Sequence, residues 1–310
     1  SNPHADGVDE TIRTALSAES NRVVARAAAL VAQQEWDQFD EELCTAYARF
    51  FEDPVKTDPG CEAKTKICEA LRLAGHHDGD FFLAGIRYRQ FESAYSREID
   101  TAAELRAGCG FALIQLNDPR VMRALVDLLG DAEKTARASA ARAITHARGE
   151  AAELLLRLKI QLGDAEPEVL GECFAGMLRM NVRDGIACVA EFLDHSNEDV
   201  QCDAALALAD TRDAAAFAPL RRKAEQRLSR DFERALLMSS GLLGTPEAVD
   251  YLLEVITAAD EGAAIVAVRA QKHCRDVRSF GERMLQAVNA TNNRLISQAC
   301  AAAFPELCAP

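Results

Sequence analysis

Residues 76–80 read His-His-Asp-Gly-Asp, two imidazoles and two carboxylates in one short run. Those residue types bind metal ions. Adjacent helical residues point about 100° apart, so His76 and His77 chelate one ion together only in an irregular loop. Gly79 permits such a loop. The same run also reads as a helix–helix turn in which Asp78 or Asp80 caps the next helix. The turn is the reading adopted, and no metal or other cofactor is expected. The ten cysteines are scattered and no CxxC occurs. Cys109 and Cys173 fall among Ala and Gly at the same point of two helical runs, as small buried reduced thiols do. Cys61, in a Pro-Gly loop, and Cys308, near the end, are expected to be the accessible thiols. Ser139, Ser239 and Ser240 lie in alanine-rich helical stripes without a histidine at hydrogen-bonding distance along the helix. No GxSxG, P-loop or GxGxxG occurs, and Gly108-Cys109-Gly110 reads as a helix-packing notch. No catalytic residue is assigned.

Charge narrows the partners. The 310 residues carry a formal net charge of −14, and only seven of the cationic residues are Lys. Phosphate backbones and anionic membranes are bound through clustered cations. The longest basic run here is Arg221-Arg222-Lys223, with Glu225 beside it, so neither partner is expected. No apolar run approaches the roughly 20 residues of a membrane span, and no signal-peptide pattern opens the chain. Ser1-Asn2 reads as a cloning remnant. Reduced cysteines place the protein in the cytoplasm.

The elements that carry these residues repeat. Segments beginning at Leu105, Thr135, Val169, Val200, Phe232, Ile265 and Leu295 start 30, 34, 31, 32, 33 and 30 residues apart. Each opens on a large residue, has small residues four or five positions on, and returns to an apolar residue near position nine. That is a helical stripe with a notch where a neighbour can approach. Short breaks such as Asn117-Asp118-Pro119 and Gly244-Thr245-Pro246 follow, and then second amphipathic runs such as VMRALVDLLGD and AAELLLRLKIQLGD. Asp, Asn and Thr cap helices and Pro suits a first helical turn. Segments from Val23 and Ala63 read as two earlier first helices, Trp36 to Phe51 as a second helix, and residues 52–60 as a loop. A helix pair of this size cannot bury its apolar face alone and must stack on its neighbours.

On these segments the chain resembles the HEAT-repeat superfamily. The stretch NEDVQCDAALALADTRDAAAFAPL from Asn197 resembles the short HEAT-like repeats of phycobilisome bilin lyase subunits and of uncharacterised bacterial HEAT-repeat proteins. The resemblance implies an all-α fold, a right-handed α-solenoid of about eight helix pairs plus a C-terminal capping helix, with second helices lining the concave face. It is laid out as one solenoid over 1–310, with a disordered terminus at 1–8, longer irregular repeats over 9–100, regular repeats over 101–291 and a terminal cap over 292–310. Deoxyhypusine hydroxylase shares this architecture and would hold iron through His-Glu pairs. No His-Glu pair occurs here, so that activity is excluded. A HEAT-like DNA glycosylase would need a basic groove and stacking aromatics, and this chain has one Trp. The implied function is a non-catalytic scaffold or adaptor that binds another protein. The alternative is a bilin-lyase-like or other protein-modifying accessory subunit.

The stretch over 76–97 remains. The first helices on either side of it start 42 residues apart, against 30 to 34 later. Tyr88, Phe91 and Tyr95 are spaced to share one face of a short helix. They are expected either to plug the gap or to form a binding rim, with Phe91 in the core and Tyr88 and Arg89 nearer the rim. Tyr and Arg are favoured where proteins bind one another. Tyr88, Arg89, Tyr95 and Arg97, with Arg120 and Arg123 from the first regular second helix, are the candidate partner-binding residues.

Overall fold

A computed structural model describes residues 3–94, 97–274 and 279–308. The chain divides into two compact units, residues 1–147 and 148–310.

The first unit opens with α1 (Pro3–Leu16), α2 (Asn21–Gln34) and α3 (Asp40–Arg49). A short α4 (Pro54–Thr57) and a 3-10 turn at 59–61 occupy the connection expected as plain loop, and lead to α5 (Glu62–Leu73) and α6 (Gly79–Gly85). Strands β1 (Phe91–Ala94) and β2 (Arg97–Asp100) then pair antiparallel, Phe91 opposite Asp100 and Ala94 opposite Arg97. Helices α7 (Ala103–Gln115), α8 (Val121–Leu129) and α9 (Lys134–Ala147) complete the unit. Helix α2 packs on α5, α5 on α7 and α7 on α9, while α3, α6 and α8 cover α5, α7 and α9 in turn. The small-residue notches make this possible: a Cβ on Gly85 of α6 would overlap the Cys109 sulfur of α7, and one on Gly110 would lie 3.3 Å from Leu125 of α8. The helix α1 begins at Pro3, inside the terminus expected to be disordered.

The second unit runs α10 (Glu150–Leu162), α11 (Pro167–Met180), α12 (Val182–Ala190), α13 (Glu198–Asp210), α14 (Phe217–Ala224) and α15 (Arg230–Leu243). It ends with α16 (Pro246–Ala258), α17 (Glu261–Ala270), α18 (Gly281–Ala290), α19 (Arg294–Ala303) and a short α20 (Pro305–Cys308). Successive first helices again stack, α11 on α13, α13 on α15, α15 on α17 and α17 on α19. Of the breaks read from the sequence, Gly244-Thr245-Pro246 holds a cap, Thr245, and other helices of this unit start on caps of the same kind. Asn181, Asn197, Ser229, Thr245, Asp260 and Asn293 each accept a backbone N–H from the first turn that follows, worth about 1 kcal/mol apiece. A Cβ on Gly241 would overlap the Ala270 carbonyl oxygen, so α15 and α17 meet backbone to backbone there. Phe280, Met284 and Phe304 close the last layer. Each unit is an all-α stack of helix pairs, the solenoid architecture that the repeat spacing calls for.

Candidate functional site

The segment between α6 and α7 is tied down by buried charge. Arg106 is buried on α7 and donates through Nε and Nη2 to Asp131 at 3.0 Å each, and through Nη1 to the Tyr88 carbonyl at 3.0 Å. Its Nη1 also lies 2.8 Å from Asp100. Arg89 bridges the same two carboxylates, at 3.2 Å from Asp100 and 3.0 Å from Asp131. Burial alone would raise the pKa of Asp100. The backbone N–H groups of Gln90 and Ala102 and the two guanidiniums outweigh it and hold that carboxyl below its usual range. Asp131 is lowered in the same way, its burial offset by Arg89, the Glu133 N–H and Arg106. Glu92 accepts from the Gly60 N–H, Gln90 and Thr101 at 2.7–2.8 Å. Such a set tolerates burial, because Asp100 and Asp131 share two guanidiniums and Glu92 takes three hydrogen-bond donors.

Beside it lies an aromatic plug built over an ion pair. Lys64 and Asp58 are both fully buried, 2.9 Å apart, and the Lys64 ammonium also donates to the Phe50 carbonyl at 3.0 Å. That ammonium lies 5.5 Å from the Phe51 ring centroid and 5.6 Å from that of Tyr88, and the two rings meet edge-on at 4.8 Å. The Tyr88 hydroxyl donates to Gln90 at 3.0 Å, and burial pushes its pKa up to about 12. Tyr88 is therefore a plug residue, and Phe91 is 52% exposed on β1. This reverses the expectation that Phe91 is core and Tyr88 nearer the rim. The reason is local conformation: side chains alternate across a strand, so Gln90 and Glu92 bond to the 58–60 backbone while Phe91 faces out. Cys61 is likewise buried under this segment, its thiol pushed up to about 12 by desolvation, and it is not the accessible thiol that a Pro-Gly loop implied. The expected burial of Cys109 and Cys173 is met.

The candidate partner-binding residues separate by environment. Tyr88 and Arg89 belong to the plug and the ion network. Arg120 precedes α8, forks Asp118 at 2.7 Å and reaches Asp80, and that fork holds the Asp118 carboxyl down at about 2. Arg97, on β2, is exposed, as is its neighbour but one, Ile99. Arg123 is exposed on α8, one turn before the exposed Val126. Tyr95 lies outside the described residues.

The second unit presents a surface that the sequence reading passed over. Leu154, Leu158 and Leu162 follow each other at four-residue spacing along α10 and are 56%, 50% and 75% exposed, while Ala152, Leu156 and Ile160 of the same helix are buried. The run AAELLLRLKIQL holds more leucine than one core-facing stripe takes up, and that surplus was the available signal.

One further cluster combines nitrogen, sulfur and oxygen donors. The His76 Nδ1 lies 2.8 Å from Oδ1 of Asp40, and the Cys44 sulfur 4.0 Å from the other Asp40 oxygen. Burial first, then the Asp40 and Asp78 carboxylates, raise the Cys44 thiol to about 11. The five-residue run from which this histidine comes does not converge on a point. Asp78 accepts from the Asp80 and Phe81 N–H groups as the N-cap of α6, His77 is exposed, and Asp80 meets Arg120. Two of the three seryl hydroxyls are committed to their helices, Ser240 donating to the Leu236 carbonyl at 2.9 Å and Ser139 accepting from Arg142 at 3.0 Å.

No family model and no curated protein matches the chain. Among solved structures it is similar to the complex of CpcE and CpcF of phycocyanin lyase from Nostoc sp. PCC7120. The identity is 16% and the TM-score 0.39, over 82% of this chain and 93% of that one. It is similar to an engineered protein at the same identity and TM-score, over 96% of this chain and 88% of that one. Neither likeness bears on activity or partner.

Proposed function

We propose that the protein is a non-catalytic scaffold or adaptor that binds another protein through exposed faces of its second helices, with α10 as the principal docking ridge. The supporting observation is the leucine ridge itself. Eight residues of helix rise span about 12 Å, and three leucines at four-residue spacing make an apolar ridge of about that length, inclined to the helix axis. An amphipathic helix of a partner lays such anchors into a complementary face. An unpartnered apolar face rimmed by polar residues is the usual mark of a protein contact. Arg157, exposed on the same helix, stands at the edge of the ridge as a polar rim does.

Comparative capture tests this reading. Wild-type protein and a Leu158→Asp/Leu162→Asp variant are immobilised in equal amount and exposed to lysate of the source organism. Both should unfold at the same temperature, since exposed positions contribute little to stability. Loss of the retained protein from the variant supports the ridge, and identical retention by both overturns it. The protein-modifying alternative uses the same kind of docking but adds a small-molecule adduct, which absorbance spectra of the captured material would reveal.

A further inference from the structure

We propose that Asp40, Cys44 and His76 form a binding site for a zinc-class divalent cation. The three donors are of three kinds, and their ligating atoms all lie within 4.8 Å of one another. Two of them stand one turn apart on α3, a spacing that puts them on one helix face, and the third comes from the turn that follows α5. His76 Nδ1 and Asp40 lie 2.8 Å apart, and Cys44 and Asp40 4.0 Å. A tetrahedral zinc with bonds of about 2.0–2.3 Å holds its ligand atoms about 3.4–3.6 Å apart. Reaching that geometry requires a change of about half an ångström in each of these two distances.

The imidazole is prepositioned. Its ring meets Phe81 and Phe82 edge-on, at 5.3 and 5.8 Å between centroids. Its Nε2 is buried with no hydrogen-bond partner, so packing and not a second hydrogen bond fixes the ring. Asp40 remains 43% exposed, which leaves a route of entry and a position for water as fourth ligand. A mixed S, N and O set selects zinc or its borderline neighbours over calcium and magnesium, which take oxygen shells. The alternative of a thiol nucleophile has no support in the geometry, because the Cys44 sulfur is directed to the Asp40 carboxylate and not to the imidazole.

Cobalt(II) is the probe, because a thiolate ligand gives it a near-ultraviolet charge-transfer band and a tetrahedral field gives it strong visible bands. The full chain, reduced with a phosphine and freed of metal, is titrated with cobalt(II) alone. The proposal expects both bands to saturate at one equivalent and to disappear on adding zinc. Cys44→Ser should abolish the charge-transfer band. Asp40→Asn, at a half-exposed position that the fold tolerates, should weaken binding by at least tenfold. Cys202→Ser, a half-buried thiol on α13, should leave the spectrum unchanged. Absence of the bands in the wild type overturns the site, and so does their persistence in Cys44→Ser. Should Cys44→Ser not fold, as judged by circular dichroism, Asp40→Asn decides: unchanged affinity in that variant overturns the site.

Discussion

Tyr88 and Phe91 are three residues apart and differ in what they touch. Tyr88 meets Phe51 and the Lys64 ammonium, while Phe91 stands out on β1. Truncating a fully buried aromatic costs about 3–5 kcal/mol. Tyr88 is half-buried, so Tyr88→Ala is expected to lose about 2 kcal/mol, and Phe91→Ala no more than about 0.5 kcal/mol, the range of ordinary surface changes. Urea unfolding followed by fluorescence of Trp36, the one tryptophan of the chain, measures both, and an equal loss would refute the assignment of plug and rim. Lys64 offers a sharper contrast. Its replacement by Met leaves the Asp58 charge buried without a counter-ion, which costs about 3–5 kcal/mol. Lys66 pairs with Glu69 at 2.8 Å with both side chains more than two-fifths exposed, and an exposed pair of that kind contributes about 0–1 kcal/mol. Lys66→Met should therefore unfold close to the wild-type midpoint while Lys64→Met does not. Similar midpoints for the two variants would contradict the burial of the Lys64–Asp58 pair.

The hairpin between α6 and α7 depends on carboxylates held ionised. Asp100 and Asp131 have folded-state pKa values below their ordinary ones, because N–H groups and guanidiniums more than offset burial. A group lowered on folding adds stability that is complete above its unfolded pKa, about 3.9 for Asp, and is lost as pH falls through the folded value. Stability of the first unit should hold from neutral pH to about 5 and decline below about 4. In Asp131→Asn the decline should be shallower, because one contributor is gone; equal slopes in Trp36 fluorescence titrations of the two proteins would exclude this origin. The repeated helices were legible where apolar period, small-residue notch and capping residue agree, as at Asn197 and Thr245 of the second unit. The hairpin was not. Tyr88, Phe91 and Tyr95 have helical spacing, and the residues that decide for a strand act on distant backbone: Gln90 donates to the Asp58 carbonyl and Glu92 accepts from Gly60, each 32 residues away. The Asp40–Cys44–His76 cluster was hidden for the same reason, since 36 residues separate the imidazole from the carboxylate it meets. Asp40 and Cys44 alone, one turn apart on a predicted helix, do not distinguish a site from a solvated face.

At the scale of the whole chain, cohesion is local. Within each unit a helix layer touches its immediate neighbours, and the chain separates into compact units at residues 147 and 148. In such arrays stability is a sum of repeat and neighbour terms, so cooperativity need not extend end to end. Trp36 belongs to the first unit, and its fluorescence reports that unit alone, whereas far-ultraviolet circular dichroism reports the helices of both. The two signals are expected to give different urea midpoints for the wild-type protein. Single substitutions then assign the phases. Lys64→Met should move the fluorescence midpoint and only the matching part of the dichroism curve. Gly241→Ala sets a Cβ against the Ala270 carbonyl where α15 meets α17, and should move the rest of the dichroism curve while leaving the fluorescence midpoint in place. Coincident wild-type curves, or a Gly241→Ala variant that shifts both signals equally, would show that the stack unfolds as one cooperative body and that the two units share a single stability.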